Sequence, residues 1–139
     1  MQLKYGIGAS IIFVNQHDQV LLLLRDDKPE IPFPNHWDVL GGHVEENENP
    51  AECIVREMLE EIDYKLDSPM LFKVFHQFEK IEHTYWQRED FDIEEITLNE
   101  GQRLQWFSRE DVETMPTDAI AYDFQSILLE FFGFLSARE

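Results

Sequence analysis

The chain has 139 residues, with 29 acids against 11 bases for a net charge of −18, and it is 43% apolar and 13% aromatic. That apolar content supports a packed core in one domain spanning residues 1–139 and excludes a disordered chain. The acidic excess, with no run of Lys or Arg to offset it, argues against nucleic-acid polymers and anionic membranes. A small phosphorylated ligand held through a metal ion stays open.

The lone Cys53 excludes a disulfide framework and a multi-cysteine zinc site. No apolar run reaches the roughly 18 residues of a membrane helix, and Met1 to Ser10 does not read as a signal peptide. The expectation is a cytoplasmic protein.

Along the chain, residues 6–14 and 19–25 are β-type runs rich in Ile, Val and Leu, with a hairpin turn at Asn15–Asp18. Three prolines make 26–36 a loop. Trp37–Leu40 predicts a short strand closed by Gly41-Gly42, and the acidic stretch 43–49 a loop. Asn49 then caps a helix, with Pro50 at its first position and Glu52 completing a capping box. This helix runs to about Ile62, with Ala51, Ile54, Val55, Met58, Leu59 and Ile62 as its apolar stripe. Paired strands are expected over 71–78 and 84–91, and another over 104–107. Ser108 and Asp111 start a short helix that ends before Pro116, and Asp118 opens the last helix. Strands and helices mixed in this way predict one layered α/β or α+β domain.

The helix over 50–62 carries Glu57, Glu60 and Glu61 at i, i+3 and i+4, within about a 100° sector. Three neighbouring carboxylates repel one another. A divalent cation relieves that repulsion, and hard oxygen ligands suit Mg²⁺ or Mn²⁺. On spacing alone a solvated acidic face of a very acidic protein is the favoured reading.

The wider context is more specific. Gly42, five residues, Glu48, seven residues and then Arg56-Glu57-Met58-Leu59-Glu60-Glu61-Ile62 resembles the signature of the Nudix hydrolases. The match covers residues 42–64. It departs from the usual pattern at Asp63-Tyr64, where the family has Gly and an aliphatic residue, and at Leu40, where many relatives have proline. The left-handed conformation wanted just past a helix is one that Asp tolerates better than most residues.

The resemblance implies an α/β/α sandwich with a mixed central sheet. It implies that Glu57, Glu60 and Glu61, with the Gly41 carbonyl, hold Mg²⁺ (or Mn²⁺), and that Arg56 orders the glutamates, with Glu48 as a partner. Glu100, in Asn99-Glu100-Gly101-Gln102, is similar to a further metal-binding acid of the MutT-like branch, and Trp106-Phe107 follows as in that branch. Glu57 and Glu100 are both candidates for the base that activates water, so Glu57, Arg56 and Glu100 form the expected catalytic set.

The implied activity is cleavage of a pyrophosphate linkage in a nucleoside di- or triphosphate derivative. A MutT-like nucleoside triphosphate pyrophosphohydrolase comes first, with an ADP-ribose or nucleotide-sugar pyrophosphatase, or a non-catalytic nucleotide sensor, as alternatives. Candidate substrate contacts are Arg25, Phe33, Phe78, Trp86 and Asp118, with Tyr85 and Tyr122 weighed beside them. Ala119 stands where the branch places its base-reading Asn. The partner is a small nucleotide; the oligomeric state is left open, with a homodimer as one option.

Overall fold

The computed structural model describes residues 3–77 and 79–138. Its first strand, β1 (Ile7–Val14), is buried at every position after Ile7, as expected of a strand covered on both faces. The turn to β2 (Val20–Leu24) is fixed by the Asn15 side chain, whose oxygen accepts from the His17 and Gln19 N–H groups at 3.0 Å each. Residues 25–36 then loop to β3 (Trp37–Asp38) and β4 (Leu40–His43). Helix α1 (Pro50–Ile62) is followed by β5 (Met70–Gln77) and β6 (Lys80–Arg88), then by β7 (Arg103–Phe107), α2 (Arg109–Thr114) and α3 (Phe124–Arg138).

Among the described residues, seven strands form one mixed sheet in the order β3-β2-β1-β6-β5, with β4 also on β1 and β7 on β2. β6 runs parallel to β1 along its whole length, pairing Gly8 with Glu82 and Ser10 with Thr84. On the other edge β4 takes residues 8–11 of β1 and β2 takes Val14. Two partners sharing one edge diverge, and that divergence opens the sheet beside β4. Alternate side chains of β1 serve two cores. Ile12 and Val14 pack with Trp86, Leu128 and Phe131 under α3. Ile11 and Phe13 pack with Ile54 and Met58 under α1. The result is an α+β fold with a helix layer on each face.

Helix α1 has the expected bounds and the full capping box between Asn49 and Glu52. Its buried face differs from the expected stripe: Val55 and Leu59 are exposed, and Cys53 and Glu61 are buried instead. The paired glycines do not close a strand. They lie inside β4, opposite Ser10 and Ala9, because their bare backbone fits against β1. The second strand of the later pair starts at Lys80 rather than Thr84, since its early charged residues face a cavity and not the core. The last helix starts at Phe124, not Asp118. Ile120 is held extended by a bridge to Trp37, with the Ala121 N–H donating to the Trp37 carbonyl at 2.8 Å. A short 3₁₀ turn at Ile93–Glu95, capped by Asp92, was not foreseen.

Asp63 ends α1 in the left-handed region, at φ 52° and ψ 37°, with its N–H donating to the Met58 carbonyl. A Cβ in this conformation costs about 1 kcal/mol. Asp63→Gly therefore raises the midpoint of urea unfolding by the equivalent of roughly 0.5–1 kcal/mol, and an unchanged or lower midpoint contradicts the strain assigned to Asp63.

Candidate active site

The capping box fixes where α1 begins, and so sets the position of every later residue on it. Arg56, one and a half turns in, is the hub. Its Nε and Nη2 reach the two Glu48 oxygens at 3.0 and 2.7 Å, and its Nη1 reaches Glu57 at 2.8 Å and Glu60 at 3.0 Å. Nη2 also donates to the His43 carbonyl at 3.1 Å. One planar guanidinium thus ties the loop before the helix to two of its acids, which a lysine could not do. The Arg56 contact holds the Glu48 carboxyl down at about 2.

Glu57 lies directly over β4. A Cβ on Gly42 would stand 2.3 Å from the Glu57 carboxyl carbon, so only glycine leaves room for that side chain. Gly41 has φ +154°, and a Cβ there would strike the Ala9 carbonyl oxygen at 2.1 Å. Burial raises the proton affinity of Glu57; Arg56 opposes this, and Glu60 and Glu100 add to it.

Glu61 is only 6% exposed. The Gly41 N–H donates to its carboxylate, yet Oε2 is buried with no hydrogen-bond partner. Burial, followed by repulsion from Glu57, Glu100 and Asp38, pushes its carboxyl up to about 9. A buried carboxylate with an idle oxygen is costly unless something positive meets it.

Glu100 is brought into the same space by its neighbour. Asn99 caps the end of α1 with two bonds, its N–H to the Glu61 carbonyl at 2.8 Å and its side-chain amide to the Glu60 carbonyl at 2.9 Å. Glu57, Glu61 and Glu100 therefore line a single cavity of about 330 Å³, together with Gly41 and Gly42. Glu60 is not among its lining residues. It is half exposed and bound to Arg56, and among the described residues no three His, Cys, Asp or Glu side chains already converge on one point. The donor set is all hard oxygen, with a buried carboxylate oxygen that has no hydrogen-bond partner. It fits a divalent cation such as Mg²⁺.

The expected substrate contacts divide. Arg25 lines the cavity and is bonded to Asp38 at 2.8 Å and to the Pro32 carbonyl at 2.9 Å. Phe33 stands beside the rim with its ring centroid 4.5 Å from that of Tyr122, a lining residue. Both have positive φ, 51° each, an outlying conformation for bulky residues. Trp86 is a core residue instead, packed on Phe131 and Phe134. Its alternation on β6 points it beneath α3. Asp118 is exposed in a 3₁₀ turn away from the cavity, and Tyr85 belongs to the core under α1. Phe78 lies outside the described residues.

The sequence reading missed Asp38, Lys80 and Glu82, which also line the cavity, and Asn99, which positions Glu100. The available signal was alternation: Lys80, Glu82 and Thr84 share one face of β6, opposite Gly8 and Ser10 of β1. Cys53 is buried with its thiol 3.3 Å from the His43 carbonyl, and burial pushes its ionisation up to about 12. It is an inert packing group.

The family model described as NUDIX domain matches residues 4–127. A Bacillus subtilis protein named putative 8-oxo-dGTP diphosphatase is 42% identical over 60 residues, covering 43% of this chain and 36% of that one. The human diphosphoinositol polyphosphate phosphohydrolase NUDT4B is 30% identical over 109 residues, covering 75% of this chain and 58% of its own. The matched stretches thus span 36% and 58% of these relatives' lengths, less than two thirds in each case. A MutT/nudix family protein from Enterococcus faecalis superposes with a TM-score of 0.74 at 18% identity, over 96% of this chain and 63% of that one. No helix among the described residues is long and apolar enough to cross a membrane.

Proposed function

The chain belongs to the NUDIX family of phosphoanhydride hydrolases, and from that premise we propose that it is a Mg²⁺-dependent pyrophosphohydrolase of nucleoside triphosphates or closely related nucleotides. The observation that carries this reading is the cavity itself, where Glu57, Glu61 and Glu100 meet the Gly41-Gly42 backbone in one polar recess. The B. subtilis relative, whose name specifies an oxidised purine nucleotide, favours a triphosphate over the other substrates of the family.

Glu57, Glu61, Glu100 and the Gly41 carbonyl are the groups of the cavity that would hold the ion, with Glu60 beside them on Arg56. When bound, Mg²⁺ neutralises phosphate charge, polarises a phosphoryl oxygen and acidifies water. Every other task falls to the protein. Arg56 keeps Glu57 and Glu60 aimed and at the same time keeps them from repelling one another. Gly42 leaves the space that the Glu57 carboxylate fills, and Gly41 lets β4 lie close against β1. Glu57 accepts the proton of the attacking water: it is half-buried and anchored at 2.8 Å by Arg56, whereas Glu100 is exposed on a loop. The bond broken is the α–β anhydride: water attacks in line at phosphorus, the bridging oxygen leaves with the other fragment, and the products are a nucleoside monophosphate and pyrophosphate.

The buried lone thiol fits a reducing, cytoplasmic setting. One catalytic unit spans residues 1–139. The test is product analysis by ³¹P NMR over nucleoside triphosphates, oxidised purine triphosphates, ADP-ribose and a nucleotide sugar. Pyrophosphate release from a triphosphate supports the proposal, and cleavage of ADP-ribose alone replaces it with the diphosphate alternative.

A further inference from the structure

Among the described residues, four of the six buried polar or charged ones, Ser10, Asp38, Glu61 and Glu82, line the one 330 Å³ cavity. Burial of this kind is costly and is not needed to close a core. Two of the four, Asp38 and Glu82, are acids matched to a base. Asp38 is 7% exposed and holds the Arg25 guanidinium at 2.8 Å. Glu82 is 5% exposed and holds the Lys80 ammonium at 2.8 Å.

The second pair depends on a missing side chain. A Cβ on Gly8, directly opposite Glu82 in the β1–β6 register, would stand 2.5 Å from the Glu82 carboxylate and 2.9 Å from the Lys80 stem. Lys80 is further held over the Tyr122 ring, 4.0 Å from its centroid. The adjoining recess beside Glu61 and Glu100 has one more base, Lys28, which is 4.0 Å from Asp26. Among the described lining residues, then, Arg25, Lys80 and Lys28 each have an acid beside them, and His43 is kept from charging by burial and by Lys80 and Arg25. The remaining acids around Glu57, Glu61 and Glu100 are answered only by Arg56 and by whatever cation they hold.

A cavity with this charge balance has metal-held charge for one phosphate chain and none for a second phosphate elsewhere on the substrate. We propose that the cavity accepts one linear di- or triphosphate chain and selects against compounds phosphorylated at a second place, with Asp38 and Glu82 as the specificity residues because they neutralise Arg25 and Lys80. This rests on the reading of the cavity as a nucleotide-diphosphate site. It separates the chain from its diphosphoinositol polyphosphate phosphohydrolase relative, whose name specifies a ring phosphorylated many times over. A free guanidinium or ammonium would attract such a ring; one already bonded to a buried carboxylate offers little net charge.

The experiment compares a nucleoside triphosphate with the same compound carrying a 3′-phosphate, at fixed free Mg²⁺. The wild type should show kcat/KM at least about tenfold lower for the 3′-phosphorylated compound, mostly through KM. Raising the ionic strength should narrow that gap, because screening weakens repulsion. Asp38→Asn and Glu82→Gln each free a base and should cut the penalty severalfold, with thermal melts confirming folded protein. The salt dependence of the wild type stands on its own if either variant fails to fold. Equal or better use of the 3′-phosphorylated compound, or a gap that widens with salt, overturns the proposal. If neither compound turns over, the hydrolase reading has failed separately. Calorimetric binding of the same two compounds with Mg²⁺ then gives the preference, and equal affinities overturn the inference.

Discussion

Glu61→Gln lowers kcat by roughly 10²–10⁴-fold, the range supplied by groups that stabilise charge or move protons at a reacting centre, and makes the metal-free protein more stable. The two effects share one cause. With its carboxyl pushed up to about 9 by burial and neighbouring acids, Glu61 in the metal-free fold keeps a proton that the unfolded chain releases near 4.5. Its contribution to stability is complete below pH 4.5 and declines as pH rises towards 9, by up to about 1.4 kcal/mol per pH unit. Glutamine is neutral throughout and escapes that loss. Thermal melts in chelator should show the wild type falling from pH 5 to pH 9 more steeply than the variant. Mg²⁺ should raise the wild-type midpoint, most at high pH, and leave the variant's almost unmoved. Parallel pH profiles for the two proteins contradict the role given to this carboxylate.

Gly42→Ala separates the site from the fold. The added Cβ meets the carboxyl end of Glu57 at 2.3 Å, with all three of its closest neighbours on that side chain. A flexible side-chain end moves at little cost, so unfolding shifts by less than about 1 kcal/mol. The carboxylate proposed as the base, however, is displaced by about an ångström or more, and kcat falls by about 10²-fold. Gly41→Ala is the contrasting case. Its Cβ would meet the Ala9 backbone oxygen at 2.1 Å, so β1 and β4 must part and stability falls with activity. Equal kcat for Gly42→Ala and the wild type removes Glu57 from the chemistry.

Much of this was legible in the residues because it was local. The Asn49–Glu52 capping box, Pro50 and the 3.6-residue spacing gave α1 its observed bounds, and the Ser108–Asp111 box did the same for the start of α2. Asp63 takes the left-handed conformation foreseen for it. What failed depends on partners far apart in sequence. Val55 and Leu59 fit a helical stripe but lie outside the face that β1 and β4 cover. Ile120 belongs to an apolar helical pattern, yet its bridge to Trp37 holds it extended.

The floor of the cavity was hidden for the same reason. Lys80 and Glu82 read as an ordinary charged strand end until the parallel register sets Glu82 across from Gly8. Trp86 could be weighed as a substrate contact because aromatic residues serve both cores and ligands; its place on β6, four residues past Glu82 on the same face, sends it under α3, as core packing requires.

The most direct test of the central claim is release of pyrophosphate from a nucleoside triphosphate, followed for wild type and Glu57→Gln with Mg²⁺ and then with excess chelator. Turnover that requires Mg²⁺, returns when the ion is restored and drops by about 10²-fold or more in Glu57→Gln is the predicted result. Turnover that persists in chelator, or that Glu57→Gln leaves intact, would place the chemistry elsewhere than at these carboxylates.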